Sequence, residues 1–397
     1  MTNRFHMTPG PTEVPLSVLQ TMMCSAISPG DPEFVKTMDD TEMLLEKLFR
    51  TRNWVIFFPG SGRVTIESAF LSVLNDGDKV LIPVNGVFSK WLGITVERLG
   101  GTPVTLDLDW RKAVSPSKIK DALEKNSDIK VVAVVHNETS TGIVNPVEEI
   151  SKIVHDYGAL YFIDSVSSLG GDRVETDAWG IDLNCTGSYK CINCVPGLSI
   201  LSVSDSAWDL MEHRKKKARS FGFDLYRWLE MWIPRERGGK LVWGYRRHPI
   251  EPSPHLTYAL QEAVKLLLEE GLDNRFNKNK IGGQAVRAAV KSIGLELFPL
   301  DESYASNTVT GIIPPKKISS EKIIGTMDKD HGVVIGGGLE ETSEKMLRIA
   351  HMGFTSDEMY VLKTISALEK TLQKLGYDLK RGEGMEAAMK VFERPKI

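Results

Sequence analysis

The sequence lacks long apolar runs and dense clusters of basic residues. Its 397 residues are 42% hydrophobic and 25% charged, with a formal net charge of −3. No segment approaches the roughly 18–20 apolar residues of a membrane span, and the N-terminal segment lacks the apolar centre of a secretory signal. The one basic cluster, residues 213–219, is typical of a solvated helix end. We therefore expect a cytoplasmic globular protein with neither a membrane nor a nucleic-acid partner.

Cysteine is also scarce, yet three of the four cysteines surround one lysine, Lys190. Cys191 and Cys194 have the spacing of a metal knuckle, but no second pair or nearby histidine completes a set of four ligands. A redox pair would begin a helix after a strand, whereas Pro196 follows this pair. A metal or redox loop is therefore the less favoured alternative. Small apolar thiols packed beside the lysine are the better interpretation, and no metal site is predicted.

Apolar strands alternate with helical segments through the first half of the chain. Continuous apolar strands separated by helices indicate a mostly parallel α/β sheet with helices on both faces. A long helical stretch begins near Tyr258, and a second α+β region follows it. The pattern predicts an N-terminal arm (residues 1–20), a large α/β domain (21–269) and a small C-terminal α+β domain (270–397).

Polar residues follow the predicted strands, at the edge where open α/β sheets bind their ligands. The sequence Gly60-Ser61-Gly62 joins a strand to a helix whose first N–H groups can face an anion. Asp164 ends another apolar strand, and a helix-like segment at 177–180 separates it from Lys190. A tight turn and a helix cap are the alternatives for these two features. An anion cradle, a carboxylate and an amine together fit a pyridine cofactor that carries a phosphate and an aldehyde.

Lys190 lies among small neutral residues, with Asp182 as the nearest charged neighbour in sequence. A lysine nucleophile must be neutral, and a sparsely charged, partly buried position lowers its pKa. A salt bridge would instead keep the amine protonated. A role for its free amine thus explains why Lys190 has no acidic residue close to it in the sequence.

Seven segments of the chain, in this order, resemble class V pyridoxal-phosphate aminotransferases: TPGPTEVP, PGSGRVTIESAF, VNGVFSKW, HNETSTG, FIDSVSSLGG, GSYKCINCVPGLSIL and KMLRIAHMG. The resemblance runs from about Pro9 to the C-terminal helix, and its nearest branch looks like the alanine–glyoxylate and serine–pyruvate enzymes. The tail RGEGMEAAMKVF also resembles the corresponding segment of ureidoglycine–glyoxylate and pyridoxamine–pyruvate aminotransferases. The segment GSGR, which contains Arg63, further resembles the ureidoglycine–glyoxylate enzymes.

The resemblance implies fold type I, with a large, mostly parallel, seven-stranded sheet. It implies pyridoxal 5′-phosphate as the cofactor and small amino and keto acids as substrates, with glyoxylate or pyruvate as the acceptor. The donor stays open among alanine, serine, aspartate, ureidoglycine and pyridoxamine. Relatives are homodimers with active sites at the interface, and residues 235–255 are the segment expected to reach across it.

The resemblance also carries over a role for individual residues. Lys190 would hold the cofactor aldehyde and, once released, move the substrate proton. Asp164 would keep the pyridine nitrogen protonated, and Arg348 would bind the substrate carboxylate through its planar fork. A surface ion pair between Arg348 and Glu344 is the alternative. Asn85 or Ser165 would assist.

Further cofactor contacts follow from the same motifs. Phe88 would stack on the pyridine ring, where many relatives have Trp or Tyr. Thr139 would contact the ring hydroxyl. Ser61, Gly62 and Arg63 would hold the phosphate.

The chain departs from the family pattern at two phosphate contacts. Relatives often have Gln before the lysine, where this chain has Tyr189. Direct spacing puts Glu251 where a partner-chain Thr is expected, and glutamate is a poor ligand for phosphate. Arg246, Arg247 or His248 would compensate if phosphate binding differs here.

Three other functions are less consistent with the sequence. A cysteine desulfurase needs a nucleophilic cysteine in the C-terminal region, but the last cysteine is Cys194. A non-catalytic cofactor-binding scaffold would not need to retain both Lys190 and Asp164. A nicotinamide-dependent dehydrogenase would need a third glycine where Thr65 stands.

Overall fold

The computed structural model describes residues 4–25, 27–234 and 246–394. The strands of its large sheet, numbered in chain order, are β2 (Trp54–Pro59), β3 (Lys79–Val84), β4 (Thr102–Asp107), β5 (Ile129–Val135), β8 (Leu160–Asp164), β9 (Leu183–Gly187) and β10 (Leu198–Val203). Their order is β2-β10-β9-β8-β5-β3-β4. Two short strands, β6 (Asn137–Glu138) and β7 (Ile143–Val144), form a separate antiparallel pair. β10 is antiparallel to both of its neighbours, and the remaining pairs are parallel. The predicted large, mostly parallel, seven-stranded sheet is confirmed.

Helices connect and cover these strands. They are α1 (Leu16–Gln20), α2 (Pro32–Phe49), α3 (Gly62–Val73), α4 (Val87–Arg98), α5 (Pro116–Lys125), α6 (Val147–Asp156), α7 (Asp205–Glu212), α8 (Tyr226–Met231) and α9 (Pro254–Glu270). α3 packs on β9 and β10, whereas α2 packs on β2 and α9. Every residue of β8, β9 and β10 is buried. Burial on both faces explains why these strands read as continuous apolar runs rather than as alternating ones.

A smaller α+β unit follows, with its own core. Its strands are β1 (Phe5–Met7), β11 (Glu296–Leu297), β12 (Val309–Ile313), β13 (Val333–Gly337) and β14 (Leu347–Ala350), and its helices are α10 (Leu272–Ser292), α11 (Ser320–His331), α12 (Glu358–Lys374) and α13 (Glu383–Phe392). The sheet order is β1-β13-β14-β12-β11. The N-terminal strand β1 therefore belongs to this sheet and pairs in parallel with β13. The two cores support the proposed division near residue 270.

One local prediction was less detailed than the structure, and another was wrong. The helical stretch predicted from near Tyr258 begins at Pro254 and is divided at Gly271 into α9 and α10. Gly271 has φ +86°, a left-handed conformation that ends the first helix and that glycine adopts without steric cost. Residues 177–180 form a turn rather than a helix. The Asp177 carboxylate accepts a hydrogen bond from the Arg52 N–H, which anchors the turn to the end of α2.

None of the described helices combines the length and the apolar character that crossing a bilayer would require.

Candidate active site

A cavity of about 240 Å³ opens where β5, β8 and β9 of the large sheet end, between that sheet and the small unit. Its lining contains most of the residues predicted from the sequence: Gly62, Arg63, Phe88, Asp164, Tyr189, Lys190 and Arg348. Ser61 and Thr139 are adjacent rather than lining, since Ser61 precedes Gly62 and the Thr139 carbonyl accepts a hydrogen bond from Arg348. Residues distant in sequence thus meet at one site.

Lys190 lies just beyond the end of β9 and is 8% exposed. Burial, with a further contribution from Arg348, lowers the pKa of its amine to about 8. The amine donates a hydrogen bond to the carbonyl of Pro9, so the N-terminal arm covers it. A Cβ atom on Gly10 would lie 2.6–2.8 Å from the last three atoms of the lysine side chain. With φ +106° as well, position 10 suits glycine, which allows this close approach without a shift of the lysine side chain.

The cysteines near Lys190 are buried and form no disulfide. Burial raises the pKa of Cys191 and of Cys194 to about 12. Both thiols are neutral at physiological pH, whereas a metal ligand or a redox nucleophile must be a thiolate. In the described ranges, no three His, Cys, Asp or Glu side chains converge as a metal site. The geometry supports the interpretation of these thiols as small packing groups.

Asp164 ends β8, and its register neighbours are Val135 on β5 and Cys185 on β9. Its Oδ1 accepts a hydrogen bond of 2.9 Å from the Val166 N–H. Burial, with a smaller contribution from the nearby charge of Glu138, raises the pKa of this carboxyl to about 7. No Lys or Arg nitrogen of the described residues lies within ion-pair distance of it. A cation placed in the cavity would supply the partner that this buried carboxylate needs.

The phosphate cradle predicted at the start of α3 has two components. Ser61 is the N-cap and makes no side-chain cap to the helix, so the N–H groups of the first turn that follow Gly62 remain available to an anion. The Tyr189 hydroxyl lies against the Gly62 N–H. Burial raises the pKa of Tyr189, so its hydroxyl stays protonated and can donate. Tyr189 thus lies at the start of α3, beside the predicted phosphate contacts.

Glu138 is a buried residue of the site that the sequence reasoning did not single out. Its carboxylate accepts hydrogen bonds from the N–H groups of Phe88 (3.3 Å) and Ser89 (2.9 Å) and from the Ser140 hydroxyl (2.5 Å). It therefore caps α4, the helix that presents Phe88 to the cavity. The signal was in the sequence, since Glu138 is part of the HNETSTG motif.

Arg348 lies on β14 of the small unit and is 7% exposed. Its Nε donates to the Gly337 carbonyl (2.7 Å) and its Nη1 to the Thr139 carbonyl (3.1 Å). Burial lowers the pKa of the guanidinium to about 10, which leaves it charged at neutral pH. No carboxylate of the described chain forms an ion pair with it, so the alternative of a surface pair with Glu344 is wrong. A buried, oriented and unneutralised guanidinium is suited to binding an anion.

Other predicted contacts do not line the cavity of their own chain. Asn85 donates to Asn145 Oδ1 (2.8 Å) and Ser165 to Asn184 Oδ1 (2.5 Å), both in the buried network behind the site. Glu251 and the residues expected to replace its missing phosphate contact, Arg246, Arg247 and His248, are not among the described residues that line the cavity.

The segment predicted to reach a partner chain is only partly described. Residues 235–245 lie outside the described residues. Arg246 forms an ion pair with Asp39, and its guanidinium carbon lies 3.8 Å from the centre of the Trp232 ring, which also stacks with the His248 ring at 4.0 Å between centres. Within the chain, Arg246 therefore contacts α2 and Trp232 rather than the cavity, and His248 is neutral because burial lowers its pKa to about 3.

Sequence reasoning assigned no role to the remaining lining residues, which are Pro9, Gly10, Ile66, Val135, Asn137, Val166, Ser167 and Leu339. Several of them have apolar side chains or no side chain, and such residues cannot be recognised as site residues from the sequence. The motif TPGPTEVP, which includes Pro9 and Gly10, marked the N-terminal arm without showing what it covers.

Comparisons with known proteins agree with this geometry. A family model described as aminotransferase class-V matches residues 9–221. An uncharacterized aminotransferase of Methanocaldococcus jannaschii is 37% identical over 386 residues, which cover 97% of each chain.

Two solved structures match nearly the whole chain. The ureidoglycine–glyoxylate aminotransferase of Bacillus subtilis has a TM-score of 0.93, with 31% identity and 99% of each chain covered. The pyridoxamine–pyruvate aminotransferase of Mesorhizobium loti has a TM-score of 0.92, with 27% identity and coverage of 98% of this chain and 97% of the other.

Proposed function

The chain belongs to the class-V aminotransferase family and uses pyridoxal phosphate, and on this premise we propose that it transfers an amino group from a small amino acid to glyoxylate or pyruvate. The observation that carries the proposal is that one cavity contains two buried ionisable groups, the amine of Lys190 and the carboxylate of Asp164. Neither group forms an ion pair within the described residues.

The residues present fit the cofactor. Asp164 is a buried carboxylate that lacks a cation among the described residues, and the protonated pyridine nitrogen is such a cation. The open N-terminus of α3 and the Tyr189 hydroxyl fit the phosphate. Phe88 supplies an aromatic face to the same cavity. Bound there, pyridoxal phosphate supplies an aldehyde for the amine and a ring that accepts electrons from the substrate.

Lys190 then has two tasks. Its lowered pKa provides the neutral amine needed to hold the aldehyde. After the substrate amine replaces it, the freed side chain is the base that takes the proton from the substrate Cα. Pro9 and Gly10 pack over the lysine, which restricts its motion and limits the access of water.

Other residues fix the geometry around this proton transfer. Asp164 would hold positive charge on the pyridine nitrogen, and Glu138 fixes the start of α4, which keeps the aromatic face of Phe88 at the cavity where the ring would bind. Thr139 contributes its carbonyl to Arg348. Arg348 binds the α-carboxylate of amino and keto acids in turn, which presents the Cα hydrogen to the lysine.

Support for the acceptor comes from relatives. Proteins named for glyoxylate and for pyruvate occur among those similar to this chain over nearly their full length. The proposal is tested by mixing the loaded protein with single amino acids and following the absorbance of the cofactor. At least one small amino acid should discharge the aldehyde form, and glyoxylate or pyruvate should restore it. No spectral change with any donor would refute the proposal.

Arg348→Lys is expected to raise KM for amino and keto acids together by about tenfold or more. A charge-assisted pair contributes about 1.5–3 kcal/mol per bond, and lysine cannot reproduce the planar fork. Steady-state kinetics with both substrates measure the change, and cofactor loading should stay normal. Arg287→Lys is the matched control, because Arg287 is also buried and donates to a main-chain carbonyl, that of Ser306, but does not line the cavity. Unchanged KM values in Arg348→Lys would contradict the role.

We further propose a homodimer with the active sites at its interface. Large apolar side chains are exposed on the N-terminal segment and beyond α7: Leu16 is 69% exposed, Met23 85% and Phe221 64%. Large apolar side chains left exposed by one chain are candidates for burial against a second chain. Sedimentation velocity should give the mass of two chains, and an active monomer would contradict the proposal.

A further inference from the structure

The side chain of Arg63 does not take part in the interactions described so far. Arg63 is the second residue of α3, is exposed, and lines the cavity. Its guanidinium carbon lies 4.4 Å from the centre of the Trp91 ring. The stacked ring restrains the planar guanidinium and leaves its edge, which carries the N–H donors, free for a ligand.

Trp91 itself is fixed from two sides. Its Nε1 donates to Glu340 Oε1 at 2.7 Å, and its ring meets Phe88 edge-on at 5.4 Å. Trp91 therefore joins α4 of the large unit to the small unit at the border of the cavity. Because the Trp91 ring is fixed by these contacts, the guanidinium that stacks on it has a fixed orientation as well.

No acid neutralises Arg63 within the described part of the chain. Glu340, which belongs to the same cluster, accepts hydrogen bonds from both Trp91 and Lys90. Glu67, one turn further along α3, forms no ion pair with Arg63. The guanidinium is thus a free cation beside the cavity.

The cofactor phosphate has other donors. The main-chain N–H groups at the start of α3, including that of Arg63 itself, and the Tyr189 hydroxyl are available to it. The side chain of Arg63 instead extends to Trp91 on α4. The main chain and the side chain of this residue therefore serve different ligands.

The charged side chains that line the cavity also indicate that the Arg63 side chain binds a ligand other than the phosphate. Its ionisable side chains that carry charge are Arg63, Lys190, Arg348 and Asp164. Under the proposed function, Lys190 and Asp164 are engaged by the cofactor and Arg348 by the α-carboxylate. Arg63 is the cation of this set without an anion.

We infer that Arg63 binds a second carboxylate on the amino donor, so that the preferred donor is a dicarboxylic amino acid of the size of aspartate or glutamate. The inference rests on the proposed function and specifies its substrate class. Arg348 and Arg63 divide the two carboxylates between them, the first holding the α-carboxylate and the second the side-chain carboxylate. Trp91 is a positioning residue because it acts through Arg63.

The test compares donors on the cofactor-loaded protein. The wild type should use L-aspartate with a kcat/KM at least about tenfold above that for L-asparagine, its neutral isostere. Arg63→Gln should lower the ratio of kcat/KM for L-aspartate to that for L-alanine by about tenfold or more. Tyr189→Phe is the control for a phosphate contact. It should weaken cofactor binding and leave the aspartate-to-alanine ratio unchanged.

A binding measurement separates this inference from the proposed function. By calorimetry, the wild type should bind succinate about tenfold more tightly than butyrate, and Arg63→Gln should remove the difference. Three results would overturn the inference: a preference for asparagine, equal affinity for succinate and butyrate, or an Arg63→Gln protein that loses cofactor and slows with every donor equally. If succinate is preferred but no amino acid changes the cofactor spectrum, the proposed function fails while the second carboxylate site stands.

Discussion

Lys190→Ala is expected to abolish transamination and the covalent attachment of the cofactor. Alanine removes both the amine that holds the aldehyde and the base that takes the Cα proton, so a loss of about 10⁴-fold or more is expected. Borohydride reduction followed by peptide mass analysis measures the attachment. In the wild type the label should lie on the peptide that contains Lys190, and in the variant no lysine should carry it. Lys190→Arg is the control, since it keeps a cation but provides no neutral amine.

The lowered pKa of Lys190 gives this prediction a pH dependence. The neutral amine is the reactive form, and its fraction rises as the pH passes the pKa of about 8. The rate at which the apoprotein captures the cofactor should therefore increase up to about pH 8 and level off above it. A rate that continues to rise toward the ordinary lysine pKa of 10.5 would show that burial does not activate the amine.

Asp164→Asn is expected to slow transamination by about 10²-fold or more, and Asp164→Ala more strongly. The carboxylate stabilises the protonated ring nitrogen in a site that excludes water, and neither replacement carries its charge. Single-turnover kinetics measure the slower proton transfer, and equilibrium dialysis measures the weaker cofactor binding.

Asp172→Asn is the matched control for this prediction. Asp172 is also a carboxylate, partly buried, it accepts a hydrogen bond from Asn307, and desolvation raises its pKa. It does not line the cavity, so its replacement should leave the chemical step unchanged. Near wild-type turnover in Asp164→Asn would mean that Asp164 only caps the turn at Val166.

Much of the large unit could be predicted from the sequence because parallel strands are buried on both faces. Their continuous apolar runs, such as that of β8, are distinct from the helical segments between them. The order of strands and loops then brings Asp164, Lys190 and the start of α3 to one edge of the sheet. Local sequence was therefore sufficient for the part of the site that strand ends provide.

Contacts between residues far apart in the sequence could not be predicted. Pro9 and Gly10 reach Lys190 because β1 pairs with β13, and a three-residue strand has too little pattern to reveal this pairing. Glu138 caps a helix that begins some 50 residues earlier, so no local capping signal exists. The stacking of Arg63 on Trp91 also joins two helices, and only the folded chain shows that its guanidinium turns away from the start of α3.

The α9–α10 boundary was missed for a different reason. Both sides of Gly271 have good helical sequences, and a single glycine is tolerated in many helices at a cost of about 1 kcal/mol. The left-handed backbone at that position, rather than composition, decides the break.

Transfer of labelled nitrogen tests the central claim most directly. The cofactor-loaded protein, in catalytic amount, is mixed with a ¹⁵N-labelled donor amino acid and glyoxylate, and the products are followed by mass spectrometry. The account predicts that ¹⁵N-glycine and the keto acid of the donor form in equal amounts, with little labelled ammonia. Release of the label as ammonia, or no turnover with any donor that binds, would contradict the assignment of this chain as an aminotransferase acting through Lys190.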